Sequence, residues 1–310
     1  MRRAAALLVA AVLAGPAAAN DSTAVLAAGG LVLTRSETIR MEGEDLHVRP
    51  EGITVRYRFR NTGPADIRTR VAFPLPEIDL AQMAETPIAP GAADPDDFVA
   101  FRVAVDGVPV AARLEMRAWR RGREVTDLLA AHGLPVSRFH PDLYPRLRAM
   151  PEAGRQALTA AGLAAWEMGE NVYPLWTMRA AYHWEQVFPA GRPLAVEHRY
   201  RPVVGQGWFG QYLLADTEEG RAWRQDHCVG PGDLARLRAK MALTTAMDPY
   251  RPMRSIAYVL TTAANWQGPI GRFRLRVESD RPDSVVLGCM LDIEAADFRP
   301  ERELAVALVD

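Results

Sequence analysis

The 310-residue sequence has only two cysteines and one lysine, and it has no long apolar run beyond its N-terminus. Because no later segment is long and apolar enough to cross a bilayer, we expect no transmembrane segment in the mature chain. Its 37 Lys and Arg nearly balance 38 Asp and Glu, which gives no electrostatic reason to expect a nucleic acid partner. The H-E-x-x-H and G-x-S-x-G motifs are also missing. Neither a zinc protease nor a serine hydrolase of those types is therefore supported.

The N-terminus has the pattern of a secretory signal peptide. Arg2 and Arg3 precede an uncharged run rich in Ala, Leu and Val, and Ala17, Ala18 and Ala19 follow a Gly-Pro break. A basic start, a short apolar stretch and small residues before a cleavage point are typical of export signals. We therefore predict a signal peptide over residues 1–19, cleavage after Ala19 and a periplasmic location.

Export decides how the two cysteines are interpreted. In an oxidising compartment an isolated pair such as Cys228 and Cys289 favours a disulfide bond. Such a bond would stabilise the fold by roughly 4 kcal/mol through loop-closure entropy. One alternative is a Cys228 thiolate activated by the adjacent His227, and another is a pair of free buried thiols.

Strict alternation of apolar and polar residues predicts β-strands. Residues 53–60 alternate without exception, and after a turn-rich loop residues 67–73 do so again, which predicts an antiparallel hairpin. Asp106-Gly107 between two apolar runs predicts a second hairpin. Alternation returns at Tyr182 and continues to Tyr200 across Phe188-Pro189-Ala190-Gly191, which predicts a third.

These patterns predict a mostly β fold with two β-sandwich-like (Ig-like) domains or halves and a helical insertion. After the signal peptide we expect an N-terminal β-sandwich over residues 20–118. A helical insertion over 119–180 should contain one helix from Thr126 to Ala131 and another opened by Pro151 and Glu152. A C-terminal β-rich domain over 181–310 should carry one helix, starting at Asp233.

A glycine motif follows one predicted strand. Gly205, Gly207 and Gly210 spell G-x-G-x-x-G, the form of a dinucleotide fingerprint. No long helix or βαβ alternation surrounds them, and Trp208 and Phe209 occupy the turn. We therefore predict a glycine-rich loop with exposed aromatic residues and no bound cofactor. We also predict no metal site.

Two histidines and two glutamates could form a catalytic group. His183 with Glu185, and Glu197 with His198, would meet across the hairpin predicted between residues 182 and 200. There they could form an acid/base or a metal site. The alternative is a cross-strand ion pair or a buried, hydrogen-bonded histidine.

Aromatic residues are dense between Trp166 and Trp223 and could line a groove for a glycan, peptide or lipid. They could equally form a core. The candidate ligand contacts are Trp176, Trp208, Phe209 and Tyr212.

Several longer motifs carry a resemblance to a known family. They include Val55-x-Tyr57-x-Phe59-x-Asn61, Ala72-Phe73-Pro74-Leu75-Pro76, His198-x-Tyr200-x-Pro202-x-Val204-Gly205 and Trp266-x-Gly268-Pro269-Ile270-Gly271. The chain resembles the exported bacterial family known as domain of unknown function 4424. The resemblance implies a periplasmic protein and supplies no catalytic residues.

Two functions from different classes remain open from the sequence. The first is a non-catalytic periplasmic binding or assembly module whose partner is an envelope protein, a peptide or a glycan. The second is a cell-envelope hydrolase that uses His183, Glu185, Glu197 and His198. The sequence favours the module because it contains no convergent catalytic set.

Overall fold

The computed structural model describes residues 22–27, 30–82, 87–167 and 171–310. The predicted signal peptide and its cleavage site lie outside the described residues. The structure is mostly β, with 44% strand and 18% helix. The predicted fold class is confirmed at that level, and its Ig-like assignment stays a prediction.

The first half of the chain contains eleven of the strands and three helices of the described residues. In order, these are β1 (Ser22–Ala27), β2 (Gly30–Thr34), β3 (Ile39–Arg49), β4 (Gly52–Asn61), β5 (Ile67–Pro74), β6 (Ile78–Asp79), β7 (Ile88–Ala89), β8 (Arg102–Val105), β9 (Val108–Val110), β10 (Arg113–Arg120), β11 (Arg123–Glu124), α1 (Thr126–Ala131), α2 (Leu143–Arg148) and α3 (Glu152–Ala160).

The second half continues with strands, two more α-helices and two 3-10 helices. In order, these are β12 (Ala164–Trp166), β13 (Val172–Pro174), β14 (Thr177–Phe188), β15 (Pro193–Tyr200), β16 (Val204–Gly210), a 3-10 helix (Gln211–Leu214), α4 (Glu218–Asp226), α5 (Pro231–Met241), β17 (Tyr250–Tyr258), a 3-10 helix (Thr261–Asn265), β18 (Ile270–Val277), β19 (Val285–Leu287), β20 (Glu294–Phe298) and β21 (Leu304–Val309).

The strands form three larger sheets and one two-stranded sheet. Sheet I has the order β11-β10-β14-β5-β1-β2, with β6 beside β14. Sheet II has the order β20-β18-β3-β4-β15-β8-β9, and sheet III the order β19-β21-β17-β16-β7. All pairs are antiparallel except β3 and β18, which run parallel with Leu46 opposite Leu275. The first and last thirds of the chain therefore contribute strands to the same sheet.

The inner faces of sheets I and II meet in one large core. In β4 the alternation places Ile53, Val55, Tyr57 and Phe59 inside, each at most 2% exposed. Phe59 packs edge-on against Phe188 of β14, with ring centroids 5.7 Å apart. The period-2 pattern therefore separates the core face of the strand from its solvent face, as predicted.

Two of the three predicted hairpins are wrong. β4 and β5 lie in different sheets, and so do β14 and β15. Each loop is a corner that carries the chain from one sheet to the other. Such a short connection cannot be distinguished from a hairpin by sequence alone. The third hairpin, through Asp106 and Gly107, pairs β8 with β9 and is confirmed.

The two corners are joined to each other. Asn61, 1% exposed, donates from its side-chain amide to the carbonyl oxygens of Ala65 at 2.8 Å and Phe188 at 3.0 Å. Its backbone carbonyl accepts from the Gly191 amide at 2.9 Å. A single buried amide thus joins the β4–β5 corner to the β14–β15 corner.

Both faces of sheet III are covered at one end. Its side chains Ile256, Tyr258 and Leu304 belong to the large core. A second, smaller core lies on the opposite side of sheet III and includes Phe209 of β16 and Leu237 of α5. The disulfide between Cys228 and Cys289 links the α4–α5 connection to the segment after β19, which confirms the predicted bond. The predicted C-terminal helix is α5, and the sequence reading missed α4.

Candidate functional site

The four residues of the predicted catalytic group do not converge. His183 and Glu185 alternate with buried Tyr182 and Trp184 on β14 and face away from the core. Glu185 accepts a hydrogen bond from Arg70 at 2.8 Å. Partial burial, followed by the nearby Arg70 charge, lowers the pKa of His183. This pair lies on the outer face of sheet I.

The other half of the group lies in sheet II and is itself divided. Glu197 is on the outer face, where Arg56 donates to it at 2.8 Å. His198 is completely buried. Residues on two outer faces and in a core cannot share a proton or a substrate, because acid/base partners need hydrogen-bond reach. The hydrolase hypothesis therefore loses the residues on which it depended.

His198 is enclosed by aromatic rings. The centroids of Tyr57, Phe73, Phe101 and Trp184 lie 5.2, 5.0, 5.1 and 5.3 Å from its imidazole. Burial alone lowers the pKa of His198 to about 3, because a charged imidazolium is poorly solvated there. At neutral pH His198 is a neutral member of the core.

The four aromatic residues predicted as ligand contacts divide in the same way. Trp176 and Phe209 are fully buried in the two cores, so neither can contact a ligand from solvent. Trp208 is 61% exposed and Tyr212 is 45% exposed. The strand explains the difference between the neighbours Trp208 and Phe209, since successive side chains point to opposite faces.

Trp208 and Tyr212 belong to an exposed surface completed by β17. Trp208 lies opposite Pro252 in the β16–β17 pairing, and Gly210 lies opposite Tyr250. Tyr250 is 45% exposed. We call Trp208, Tyr212, Tyr250 and Pro252 the aromatic platform.

Gly210 is the floor of the aromatic platform. A Cβ at this position would lie 2.8 Å from the ring of Tyr212 and 2.9 Å from the ring of Tyr250. Real Cβ contacts are not that short, so the two rings can lie this close to the strand only because residue 210 is a glycine. The third glycine of the G-x-G-x-x-G pattern therefore serves ring packing, and a 3-10 helix follows β16 where a dinucleotide site needs an α-helix.

Polar side chains border the aromatic platform. On the same face of sheet III, Gln206 lies opposite Arg254. Arg254 donates to Asp310 at 2.9 Å and pairs with Asp280 at 2.8 Å, and hydrogen bonds from Arg254 lower the pKa of Asp280. The arrangement offers flat apolar rings beside fixed hydrogen-bonding groups. Such a combination can hold and orient a ligand.

Tyr250 and Pro252 were missed by the sequence reading. They lie about forty residues after Trp208, and only the register of β16 against β17 brings them together. Local patterns carry no information about such a pairing. The glycine neighbours pointed to Trp208 and Phe209, of which only Trp208 is exposed, whereas Tyr212 was predicted as part of the aromatic-rich stretch.

Neither a metal cluster nor a membrane-spanning helix occurs within the described residues. No group of three or more His, Cys, Asp or Glu in that part of the chain could hold a metal ion. None of the helices described above has the length and apolar character needed to cross a bilayer.

This chain is similar to a solved structure and to one protein family. A solved structure of a candidate nutrient binding protein from Legionella pneumophila aligns with 94% of this chain and 70% of its own, at 15% sequence identity and a TM-score of 0.43. No curated protein matches the chain. The family model for the domain of unknown function DUF4424 matches residues 19–306. That match covers nearly the whole sequence, and the chain therefore belongs to the DUF4424 family.

Proposed function

We propose that this protein is a non-catalytic binding module of the periplasm and that the aromatic platform contacts its ligand. The single observation that carries the proposal is the joint exposure of three aromatic side chains on one face of sheet III, two of them against Gly210. Covering the exposed part of a tryptophan such as Trp208 can contribute about 4 kcal/mol at 25 cal/mol per Å². Periplasmic location is supported by the N-terminal sequence pattern.

The ligand class that fits the aromatic platform best is a glycan. A sugar ring has an apolar C–H face that stacks on an aromatic ring and hydroxyl edges that need hydrogen-bonding partners. The platform supplies both, through its rings and through Gln206 and Arg254 beside them. A second candidate is a protein partner, favoured by the exposed Leu243 (74%) and Met247 (96%) in the segment before Tyr250.

The test is a titration of the mature protein with chitohexaose, a neutral β-linked glycan, followed by tryptophan fluorescence and calorimetry. We expect binding with a change in fluorescence. Trp208→Ala should weaken binding about tenfold or more, because stacking on one aromatic ring is worth roughly 1–3 kcal/mol. Gly210→Ala should also weaken binding, since its Cβ would displace the two tyrosine rings without removing either.

The matched control is Tyr144→Ala, which removes a partly buried ring on α2 that packs against Arg148. It should leave chitohexaose binding unchanged. Equal affinity in wild type and Trp208→Ala would refute the proposed site. Saturable binding of a partner protein, lost in Trp208→Ala while chitohexaose has no effect, would favour the second candidate.

A further inference from the structure

The outer face of sheet II is rich in arginine. Residues that point outward alternate with core residues along its strands, which are β3, β4, β8, β15, β18 and β20. We call this surface the arginine face. Its arginines are Arg40, Arg49, Arg56, Arg58, Arg60, Arg102, Arg199, Arg272, Arg274 and Arg276.

The middle row of the arginine face alternates in charge, with three carboxylates and two arginines. Strand pairing places Glu294, Arg274, Asp45, Arg56 and Glu197 side by side across five strands, with alternating charge. Arg274 lies 3.5 Å from Asp45, and Arg56 lies 2.8 Å from Glu197. This row therefore holds its charges within the sheet.

The rows on either side are basic. On one side the pairing gives Arg276, His47, Thr54, Arg199 and Arg102 across five strands, with no carboxylate in the row itself. Neighbouring strands are about 4.8 Å apart, so the row is about 19 Å long. The carboxylate nearest to this row is Glu197 of the middle row, 2.7 Å from Arg199, which it shares with Arg56. Two further acids come from loops, Glu278 beside His47 and Asp97 beside Arg102.

On the other side Arg272 and Arg58 flank Gly43, where β3 has a bulge. A depression of about 250 Å³ lies beside Gly43 and is lined by four arginines, Arg56, Arg58, Arg272 and Arg274, together with Glu42, Glu44 and Asp45. The bulge therefore opens space beside guanidinium groups that remain largely exposed, 66% for Arg58 and 63% for Arg272.

The carboxylates on this face are shared between arginines. Arg58 and Arg60 both contact Glu42, and the hydrogen bond and charge of Arg60 lower the pKa of Glu42. Arg272 and Arg274 both contact Glu294. A guanidinium has five N–H donors. Each shared carboxylate therefore leaves donors on both arginines for a further anion.

The geometry points to the arginine face as a docking surface for a linear acidic polysaccharide. Guanidinium groups bind carboxylate and phosphate in a bidentate manner, and the two basic rows present them in lines across the strands. None of the large apolar side chains exposed in the described residues lies on the outer face of β3, β4, β15 or β18. A face without apolar anchors does not insert into a membrane, and a face without exposed aromatics offers no stacking to bases.

The test is binding of the mature protein to polygalacturonate, with neutral dextran as the uncharged control. At about 50 mM salt the Debye length exceeds about 10 Å, so charges on the protein and the polymer attract each other over that distance. Under these conditions we expect polygalacturonate to bind and neutral dextran not to bind. Raising the salt to about 300 mM should weaken binding severalfold. The double variant Arg199→Glu with Arg276→Glu should bind about tenfold more weakly or worse.

The matched control reverses two exposed arginines on the helices, Arg221→Glu with Arg236→Glu, and should change affinity less than about twofold. Arg199→Gln with Arg276→Gln, which removes charge without adding any, should give an intermediate loss if the glutamate variant does not fold. The inference is overturned if polygalacturonate fails to bind, or if the helix control weakens binding equally. It is also overturned if phosphatidylglycerol vesicles or a single-stranded oligonucleotide bind more tightly.

This inference goes beyond the proposed function and stands apart from it. Trp208→Ala should leave polygalacturonate binding unchanged, because the aromatic platform is on sheet III. Loss of polygalacturonate binding in Trp208→Ala would assign the polymer to the aromatic platform and overturn the inference. If Trp208→Ala loses chitohexaose binding and keeps polygalacturonate binding, the result supports the proposed function and leaves this inference intact.

Discussion

His198 should make this protein sensitive to mild acid. Its imidazole is completely buried among four aromatic rings, and its pKa is lowered to about 3 from an ordinary 6.5. In the unfolded chain the same group takes up a proton near pH 6.5. The contribution of His198 to stability is therefore complete above pH 6.5 and is lost as the pH falls toward 3.

The magnitude follows from the two pKa values. Linkage gives a loss of unfolding free energy of about 2 kcal/mol between pH 7 and pH 5. Over the same interval a carboxylate such as Glu42, whose lowered pKa also favours the folded state, contributes only a few tenths of a kcal/mol, because its ordinary pKa of 4.5 lies below the interval. His198 should therefore dominate the difference between the wild type and a variant that lacks the imidazole.

The assay is equilibrium unfolding in urea at pH 7 and pH 5, for the wild type and for His198→Phe. The phenyl ring is neutral at both values, so the variant should lose about 2 kcal/mol less than the wild type. Its own packing cost is present at both pH values and cancels in the difference. His198→Leu provides a second neutral side chain if the phenyl ring overfills the site.

The result that would refute this reasoning is a pH 7 to pH 5 difference equal in wild type and variant to within about 0.5 kcal/mol. The lowered pKa of His183 is present in both proteins and cancels as well. Equal losses would mean that His198 is protonated in the folded core or reaches solvent at little cost.

Three further predictions concern stability. Replacing both Cys228 and Cys289 by serine should lower the free energy of unfolding by about 4 kcal/mol, since the bond closes a 61-residue separation; a reductant should have no effect on the variant in the same urea titration. Asn61→Ala should cost about 1–3 kcal/mol, because it removes the buried hydrogen bond to the Phe188 carbonyl together with the bond to Ala65; an unchanged urea midpoint would contradict this. Trp266→Ala should cost about 3–5 kcal/mol by opening a core cavity, read as a fall in melting temperature, while Trp208→Ala should stay within about 0.5 kcal/mol.

The sequence predicted the strands well because their signal is local. Ile53, Val55, Tyr57 and Phe59 face one side simply because successive residues alternate, and the structure buries all four. Pairing is not local. The five residues between β4 and β5 could close a hairpin or turn a corner, and the choice was made by a distant contact through Asn61.

The candidate site was predictable in part for the same reason. The glycines beside Trp208 and Phe209 predicted exposure for both residues. Only Trp208 is exposed, because the segment is a strand whose alternation places Phe209 inside. Tyr250 joins the aromatic platform only through register with a strand about forty residues away. The arginines of β4 and β18 are visible in the sequence, but nothing local shows that β3 lies between them.

The parallel pairing of β3 with β18 has a consequence for how the chain folds. Leu46 and Leu275 become neighbours only after almost the whole chain has been made, and the loop that joins them must close first. Contacts this remote in sequence slow folding. Until β18 arrives, β3 presents an open edge to other chains. A truncation before residue 270 should therefore produce an aggregation-prone species, and the C-terminal strands protect the sheet as well as extend it.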